Sequence, residues 1–359
     1  MHMPDPSVPT LAQVVRHLPD ECYDNPTWRG LLYFFRDLLI YGGTVWGLLS
    51  ADSPWLLIPL WLLAGLAISA LFVVGHDAAH GALFRKSWRN RWVGQIAMLP
   101  SLHLYEAWVF GHNRIHHGHT TRQEMDYVWH PLTPQEFAAL PAWRKLVHRL
   151  EWSCLGAGLY YMRDIWWRKM IWNFDPPVKI RGAVRRDRAI ILAYVCAVSA
   201  ALVALGLHQY GTWTGAAWLW TKVFLIPFVL WNYSIGATVY VHHICQDIPW
   251  STRREWNKFR GQVEGTTVIH IPRLLNVFYH NIFLHVAHHV DMRIPFYRLP
   301  AATQALCRKF DDAIVVRGFN LRDYLETTKN CKLFDFETGA WSRYREAPVA
   351  DETGQSTAA

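Results

Sequence analysis

The chain has 359 residues, of which 52% are apolar and only 18% are charged, below the quarter that is usual in soluble proteins. Its formal net charge is +8, but the basic residues stand beside long apolar runs, where they are expected to face lipid head groups. A nucleic-acid partner is therefore not expected. The six cysteines lie far apart with no Cys-x-x-Cys pair, which argues against a disulfide framework or a zinc ribbon and favours a reducing compartment.

Four apolar runs predict four membrane-spanning helices in two hairpins, at about 31–51, 54–75, 189–207 and 223–241. The second run has no charged residue and is long enough to cross a hydrocarbon core of ~30 Å as a helix. The first is long enough only if it extends back to Leu31, with Arg36 and Asp37 near its interfacial end. Lys222 precedes the fourth run, and its side chain is expected to snorkel to the membrane surface.

Polar, histidine-rich segments at about 76–188 and beyond 241 predict a helical cap on the membrane part. The expected fold is an all-α integral membrane protein with a single domain over residues 1–346. Residues 347–359 are polar and small, and a disordered tail is expected there.

The orientation follows from the distribution of lysine and arginine. The two turns that separate the spans within each hairpin contain neither residue, whereas the other flanks are basic. The positive-inside rule then places both termini and the cap in the cytoplasm, and a bacterial inner membrane is expected. The basic residues concerned are Arg85, Lys86, Arg89, Arg91, Lys179, Arg181, Arg185, Arg186, Arg188, Arg253, Arg254, Lys258 and Arg260.

Three histidine clusters lie in the polar segments outside the predicted spans, the first directly after the second span, and their spacing indicates a metal site. Residues four apart lie on one face of a helix, so His76 and His80 can reach one ion. Adjacent helical residues point about 100° apart, so each His-His pair is suited to two neighbouring ions rather than one. The clusters therefore predict a dinuclear site, and imidazole suits iron, copper, zinc or nickel. Their members are His76, His80, His112, His116, His117, His285, His288 and His289.

At these clusters the chain resembles the integral-membrane fatty acid desaturase superfamily, which has three histidine boxes around four spans. The third box, NVFYHNIFLHVAHH at 276–289, is similar to that of acyl-lipid desaturases of the Δ12/ω-3 type. The resemblance implies a cytosolic site with two iron ions, O2 as oxidant, a fatty acyl chain as substrate and an external electron donor. It also implies a ninth ligand after the fourth span, which is His243 in preference to His242. Asn232 loosely matches the position of an asparagine that makes a water-mediated contact in the acyl-CoA desaturases.

The first two boxes depart from that pattern. Ala78 and Ala79 replace a common Cys-Gly pair, and the second box is spaced His-x3-His-His. The longer spacing is found in alkane hydroxylases and in bacterial desaturase-like enzymes that form 1-alkenes. Three reactions therefore stay open: desaturation, which is favoured, oxidative decarboxylation of a free medium-chain fatty acid to a terminal alkene, and hydroxylation.

Further residues near the clusters are candidates for contacts to the ligands or the substrate. Metal-bound imidazoles need their other ring nitrogen tied to a carboxylate or carbonyl, and His280 lies within the third box. Arg114 or Arg122 is placed to anchor a free carboxylate. The remaining candidates are Asp77, Glu106, Asp126, Asp247 and Asp291.

Two non-enzymatic functions, metal transport and a structural role, fit the sequence less well. A metal transporter would place histidines near the middle of its spans, which are free of them here. A structural protein has no need of clustered imidazoles. For the enzyme, the chain shows no nucleotide-binding glycine-rich turn and no haem motif, so a separate ferredoxin-like protein is expected to supply electrons. It is predicted to dock on the basic segments 85–91 and 181–188.

Overall fold

Helices make up most of the molecule, and the computed structural model describes residues 8–172 and 174–345. The predicted tail at 347–359 lies outside the described residues. In chain order the α-helices are α1 Leu11–Val15, α2 Thr27–Ser50, α3 Pro54–Ala79, α4 Ser87–Ala97, α5 Tyr105–Trp108, α6 His117–His119, α7 Pro134–Ala139, α8 Ala142–Glu151, α9 Ala157–Tyr160, α10 Arg181–Tyr210, α11 Trp213–Trp220, α12 Ile226–His243, α13 Arg273–Tyr279, α14 His285–Val290, α15 Leu299–Cys307 and α16 Leu321–Asn330.

Several helical segments depart from α-geometry. Four are wider π-helical turns, in which each N–H bonds to the carbonyl five residues earlier: Val109–His116, Tyr161–Trp172, Thr221–Leu225 and Arg260–Glu264. Four are 3-10 turns: Asp20–Tyr23, Val178–Ile180, Phe296–Arg298 and Asp311–Ala313.

The expectation of an all-α fold is wrong in detail, because the cap contains four short strands. β1 Thr267–His270 pairs in parallel with β2 Val315–Gly318, and β3 Leu333–Asp335 pairs antiparallel with β4 Ala340–Ser342. The first two are rich in β-branched residues, which favour strands. Gly339, with a φ of +68°, allows the tight turn between the other two. Strands of three or four residues carry too little periodicity to be read from the sequence.

Three helical stretches among the described residues are long and apolar enough to cross a membrane: Pro54–Ala79, Val178–Tyr210 and Trp213–His243. They cover the second, third and fourth predicted spans. The first predicted span lies within α2, a helix of 24 residues that includes Arg29, Arg36 and Asp37 and is not among the three. The structure thus supports a membrane protein with three candidate spans, and the fourth is a proposal discussed below.

The expectation for Lys222 is wrong. Its side chain is fully buried, and Nζ donates to the Ala51 carbonyl at 2.9 Å and to Oδ1 of Asp52 at 3.1 Å. The reason is that α11, the π-turn and α12 form one continuous helix, which holds Lys222 beside the end of α2. There the ammonium group satisfies a carbonyl that has no partner within its own helix.

Close packing of α3, α9 and α12 forms the centre of the molecule. At Gly236 an added Cβ would lie 2.4 Å from the Ala157 carbonyl oxygen and 2.9 Å from Cα of Gly158, so α9 and α12 touch along their backbones. A buried cluster that includes Phe72, Trp108 and Trp231 lies beside this contact. Of the two central helices, α3 ends directly before His80 and α12 ends at His243, so this packing sets where His76, His80 and His243 meet the cap.

Candidate metal centre

The nine histidines predicted as ligands form two adjoining groups. Group 1 consists of His76, His80, His112, His117 and His288, and group 2 of His116, His243, His285 and His289. Within each group one ring nitrogen per residue lies within 4.8 Å of the others. All of these side chains are buried except His80, which is partly exposed. Two such groups side by side have the arrangement of a dinuclear site.

Local helix geometry explains how members of group 1 meet. His76 and His80 are four apart at the end of α3, and their Nε2 atoms are 3.2 Å apart. His112 and His117 are five apart, yet their Nε2 atoms are also 3.2 Å apart. A π-helical turn brings residues five apart onto one face, and Val109–His116 is π-helical. The spacing His-x3-His-His therefore aligns the first and last histidines of the box, not the first and second.

Each His-His pair divides between the groups. The rings of His116 and His117 are inclined at 72°, and those of His288 and His289 at 88°. The first member of one pair and the second member of the other belong to group 2. Because neighbours on a helix point in different directions, each pair connects the two groups and keeps them adjacent.

In group 2 every Nδ1–H has a partner, so every Nε2 can face the centre without a proton. This fixes both the tautomer and the direction of each ring. The four acceptors are Oδ1 of Asp126 for His116 at 2.8 Å, the Gly265 carbonyl for His243 at 3.0 Å, the Ile282 carbonyl for His285 at 3.1 Å and Oε1 of Gln262 for His289 at 3.0 Å.

Group 1 is held less tightly. Nδ1 of His76 lies 3.2 Å from Oδ1 of Asp77, and Oδ2 of the same carboxylate accepts from the Phe296 amide at 2.5 Å. The Nδ1 atoms of the other four have no hydrogen-bond partner among residues 8–172 and 174–345. The second group is thus the better oriented of the two.

A cation fits this donor set. Burial lowers the pKa of His112, His117 and His288 well below the usual range, so these imidazoles are neutral and keep a free lone pair. The buried Nε2 of His243 has no hydrogen-bond partner in the described part of the chain. A buried acceptor without a partner is costly, and an ion bound among the Nε2 atoms would remove that cost. Neutral imidazoles suit iron, copper, zinc and nickel.

Two predicted carboxylates contact the histidines and three do not. Asp77 and Asp126 contact His76 and His116, as expected of residues that orient ligands. Burial alone would raise the pKa of Asp126, but the adjacent His116 holds it below its usual value. Asp291 instead accepts from Tyr23 and Arg293. Glu106 is paired with Arg91 and Arg186, and Asp247 has no hydrogen bond to the nine histidines among the residues described.

The other predicted contacts lie at the edge of the site or outside it. His242 stacks on His285 with ring centroids 3.8 Å apart, but belongs to neither group. His280, at a left-handed φ of +47°, is 2.7 Å from Asp37 of α2. Asn232 is buried, and its amide donates to the Phe228 carbonyl. Arg114 is exposed and lies in neither group, whereas Arg122 contacts His119. Neither arginine therefore supports a carboxylate anchor at the histidines.

Gln262 was missed by the sequence analysis. It accepts from His289 and donates to the His117 carbonyl at 2.9 Å, so one side chain contacts both groups. Thr120 is close by, with Oγ1 3.3 Å from Nδ1 of His289. A glutamine far from every box has no spacing that relates it to them, and the backbone carbonyls have no sequence signal at all.

A small cavity of about 40 Å³, lined by residues of α3 and α12, borders both groups. Apart from the histidines and three hydroxyl-bearing residues, its walls are apolar and include Phe72, Trp108 and Ile235. An apolar wall that faces six imidazole rings is an unusual combination, since hydrocarbon in the cavity would lie against groups that can bind a metal. The histidine rings that line it are His76, His112, His116, His242, His243 and His285.

Fold and site together define a membrane protein with a polyhistidine site at the ends of its apolar helices. The family model for fatty acid desaturases matches residues 53–318. The chain belongs to this family, as its histidine boxes predicted, and is a membrane oxidoreductase of the fatty acid desaturase type.

Named relatives cover nearly the whole chain. The sn-1 oleoyl-lipid 12-desaturase of Anabaena variabilis is 27% identical over 92% of this chain and 91% of its own length. The chloroplastic omega-6 fatty acid desaturase of Glycine max is 30% identical over 94% of this chain and 77% of its own. The sn-1 oleoyl-lipid 12-desaturase of Picosynechococcus is 29% identical over 80% of each.

Proposed function

We propose that this enzyme introduces a double bond into the acyl chain of a membrane lipid, at a centre of two iron ions, with O2 and electrons from a separate donor. The observation that carries the proposal is the pair of histidine groups that faces one apolar cavity. The relatives' names, which specify oleoyl-lipid 12-desaturases and omega-6 desaturases, favour a lipid-linked fatty acid as substrate.

The nine histidines are the proposed ligands, five for one iron and four for the other. Iron supplies the oxidising power, with O2, that removal of hydrogen from an unactivated C–H bond requires. The protein's own residues prepare the site: Asp126 and Gln262 hold His116 and His289 in place, and Phe72 and Trp108 exclude water and hold hydrocarbon.

We propose that α2 is a fourth span and that both termini are cytoplasmic. Its apolar side chains Leu32, Phe35, Leu39 and Trp46 are more than half exposed, as expected for a helix surrounded by lipid. It also packs along α3, which is a candidate span. In this orientation, in a bacterial inner membrane, the basic segments 85–91 and 181–188 face the cytoplasm. An acidic ferredoxin-like donor would be attracted there by charge.

Two other reactions of the same centre remain alternatives because the second box has the His-x3-His-His spacing. Decarboxylation of a free acid would require a cation that holds the carboxylate beside the metals. Arg114 is exposed, and this position does not support a role for it as that cation. Hydroxylation would need only a different position of the acyl chain relative to the metal centre. The transporter alternative does not fit a chain that belongs to an enzyme family.

Lipid analysis of an expressing bacterium tests the reaction. Cells are fed a deuterated medium-chain fatty acid and a long-chain phospholipid, and both lipids and headspace volatiles are analysed by mass spectrometry. Desaturation gives a new internal double bond in membrane lipids, and His288→Ala should abolish it. A terminal alkene one carbon shorter than the acid, without new unsaturation, would overturn the proposal.

A further inference from the structure

A second, larger cavity lies directly outside the one at the histidines. It has a volume of about 490 Å³, within the roughly 300–1,000 Å³ of typical ligand sites. Its lining is mostly apolar, from α12, β1, α13 and α16, and includes Val241, Ile269, Leu275 and Phe283. Of the described residues, Thr238 and Tyr279 line both cavities.

Tyr279 therefore stands between the outer cavity and the inner one. The inner cavity, at about 40 Å³, is far smaller than the outer cavity, at about 490 Å³. An acyl chain in the outer cavity cannot extend to the histidines until the side chains between the two cavities move. Tyr279 is the larger of these two residues, and its ring packs edge-on against Phe283 at 5.1 Å.

Hydrogen bonds hold the Tyr279 ring in this position. Its hydroxyl lies 2.7 Å from Oγ of Ser234 on α12, which lies 2.8 Å from Oγ of Ser69 on α3. Ser69 donates to the Gly65 carbonyl at 3.0 Å. If each hydroxyl donates once, Tyr279 donates to Ser234 and Ser234 donates to Ser69, so every group is satisfied. The three hydroxyls join α13 to both central helices.

We propose that Tyr279 is a gate that determines when and how far an acyl chain passes from the outer cavity to the histidines, with Ser234 as its latch. The inference rests on the proposed function, since it takes the acyl chain as the occupant. That occupant is supported by the mostly apolar walls of the outer cavity and by the two residues that it shares with the histidine cavity. It is also supported by the separating side chain of Tyr279, whose hydroxyl is hydrogen-bonded to Ser234 and Thr238. Tyr279 is thus a positioning residue: it controls the position of the acyl chain and does not touch the reacting atoms.

Two substitutions weaken the latch without removing the ring. Tyr279→Phe and Ser234→Ala each delete one hydroxyl of the tether and should make opening easier. One hydrogen bond corresponds to roughly a two- to tenfold change in an equilibrium. Both variants should therefore lower the apparent KM for the acyl substrate by about that factor, with the same bond position in the product. Tyr279→Ala removes the ring, and its product should carry the double bond at a shifted position or in chains of different length.

The matched control is Tyr210→Phe, because Tyr210 lines neither cavity and its hydroxyl donates to Oδ1 of Asp52 at 2.9 Å. It should leave KM and product unchanged. Iron content is measured for every variant, so that a misfolded Tyr279→Ala is recognised and the test then depends on Ser234→Ala. Unchanged KM and product in iron-loaded variants, with an active wild type, would overturn the gate. An iron-loaded wild type without desaturation of any acyl lipid would instead contradict the proposed function.

Discussion

The Nδ1–H of His116 donates to Oδ1 of Asp126 at 2.8 Å, and both side chains are buried. The same carboxylate accepts from the backbone amides of Thr121 and Val128 at 2.8 and 3.0 Å. Asp126 therefore connects a histidine of group 2 to the segment that follows the second box. This arrangement fixes both the direction of the ring and the nitrogen that faces the centre.

Asp126→Asn should reduce activity and iron affinity by about 10- to 100-fold, the usual cost of losing a partner that orients a ligand. An amide has a single acceptor oxygen, so it cannot keep both the imidazole and the Thr121 amide satisfied. Turnover and iron content of the purified protein are the measurements. Asp312→Asn, an exposed change, is the control. Full activity in Asp126→Asn would show that the bond does not orient His116.

Lys222→Met should lower the stability of the protein in detergent. The substitution leaves the Ala51 carbonyl without its donor in a buried position, which costs about 1–3 kcal/mol. Thermal unfolding followed by circular dichroism should show a lower Tm, while Lys179→Met, at an exposed position, leaves it unchanged. Equal Tm values for the two variants would mean that Lys222 reaches water as the sequence suggested.

Gly236→Ala should destabilise the contact between α9 and α12. Its Cβ would lie 2.4 Å from a backbone oxygen, so the helices must separate, and overpacking of this kind costs about 1–3 kcal/mol. Gly42→Ala on α2 is the control, because no atom lies within 4 Å of the Cβ that it adds. There alanine should be neutral or stabilising by about 0.5–1 kcal/mol. A Tm that rises in both variants would argue against close packing at Gly236.

Reporter fusions at the C-terminus and at Gly211 should lie on opposite sides of the membrane. The distribution of lysine and arginine places the C-terminus in the cytoplasm and the turn between α10 and α11 outside. Alkaline phosphatase and green fluorescent protein fusions measure this directly. A periplasmic C-terminus would place the histidines away from cytosolic electron donors and contradict the proposed orientation.

Much of this architecture could be predicted because it depends on local patterns. The apolar runs predicted the three candidate spans, and helical spacing predicted that His76 and His80 would meet and that each His-His pair would divide. What the sequence did not show depends on distant contacts. Gln262 reaches both groups only because the fold brings its π-helical turn beside the second and third boxes. Lys222 is buried because two hairpins pack together, although its neighbours in sequence suggested an exposed end.

The π-helical turn Val109–His116 depends partly on the local sequence and partly on distant contacts. The distance of five residues between His112 and His117 is visible in the sequence, but an α-helix would pair His112 with His116 instead. A π-helical turn becomes favourable only where other contacts stabilise it. An ion bound among the five converging imidazoles of group 1 would supply such contacts. The spacing His-x3-His-His is therefore compatible with a dinuclear site, and by itself it does not distinguish among desaturation, hydroxylation and decarboxylation.

Iron quantification of the detergent-purified protein tests the central claim most directly. The wild type should contain two iron ions per chain by elemental analysis, with a Mössbauer spectrum of two coupled, nitrogen-ligated sites. His117→Ala should lose iron, whereas His119→Ala, a histidine outside both groups, should keep it. A wild type with one iron, with a different metal or with none after expression in iron-rich medium would contradict the account.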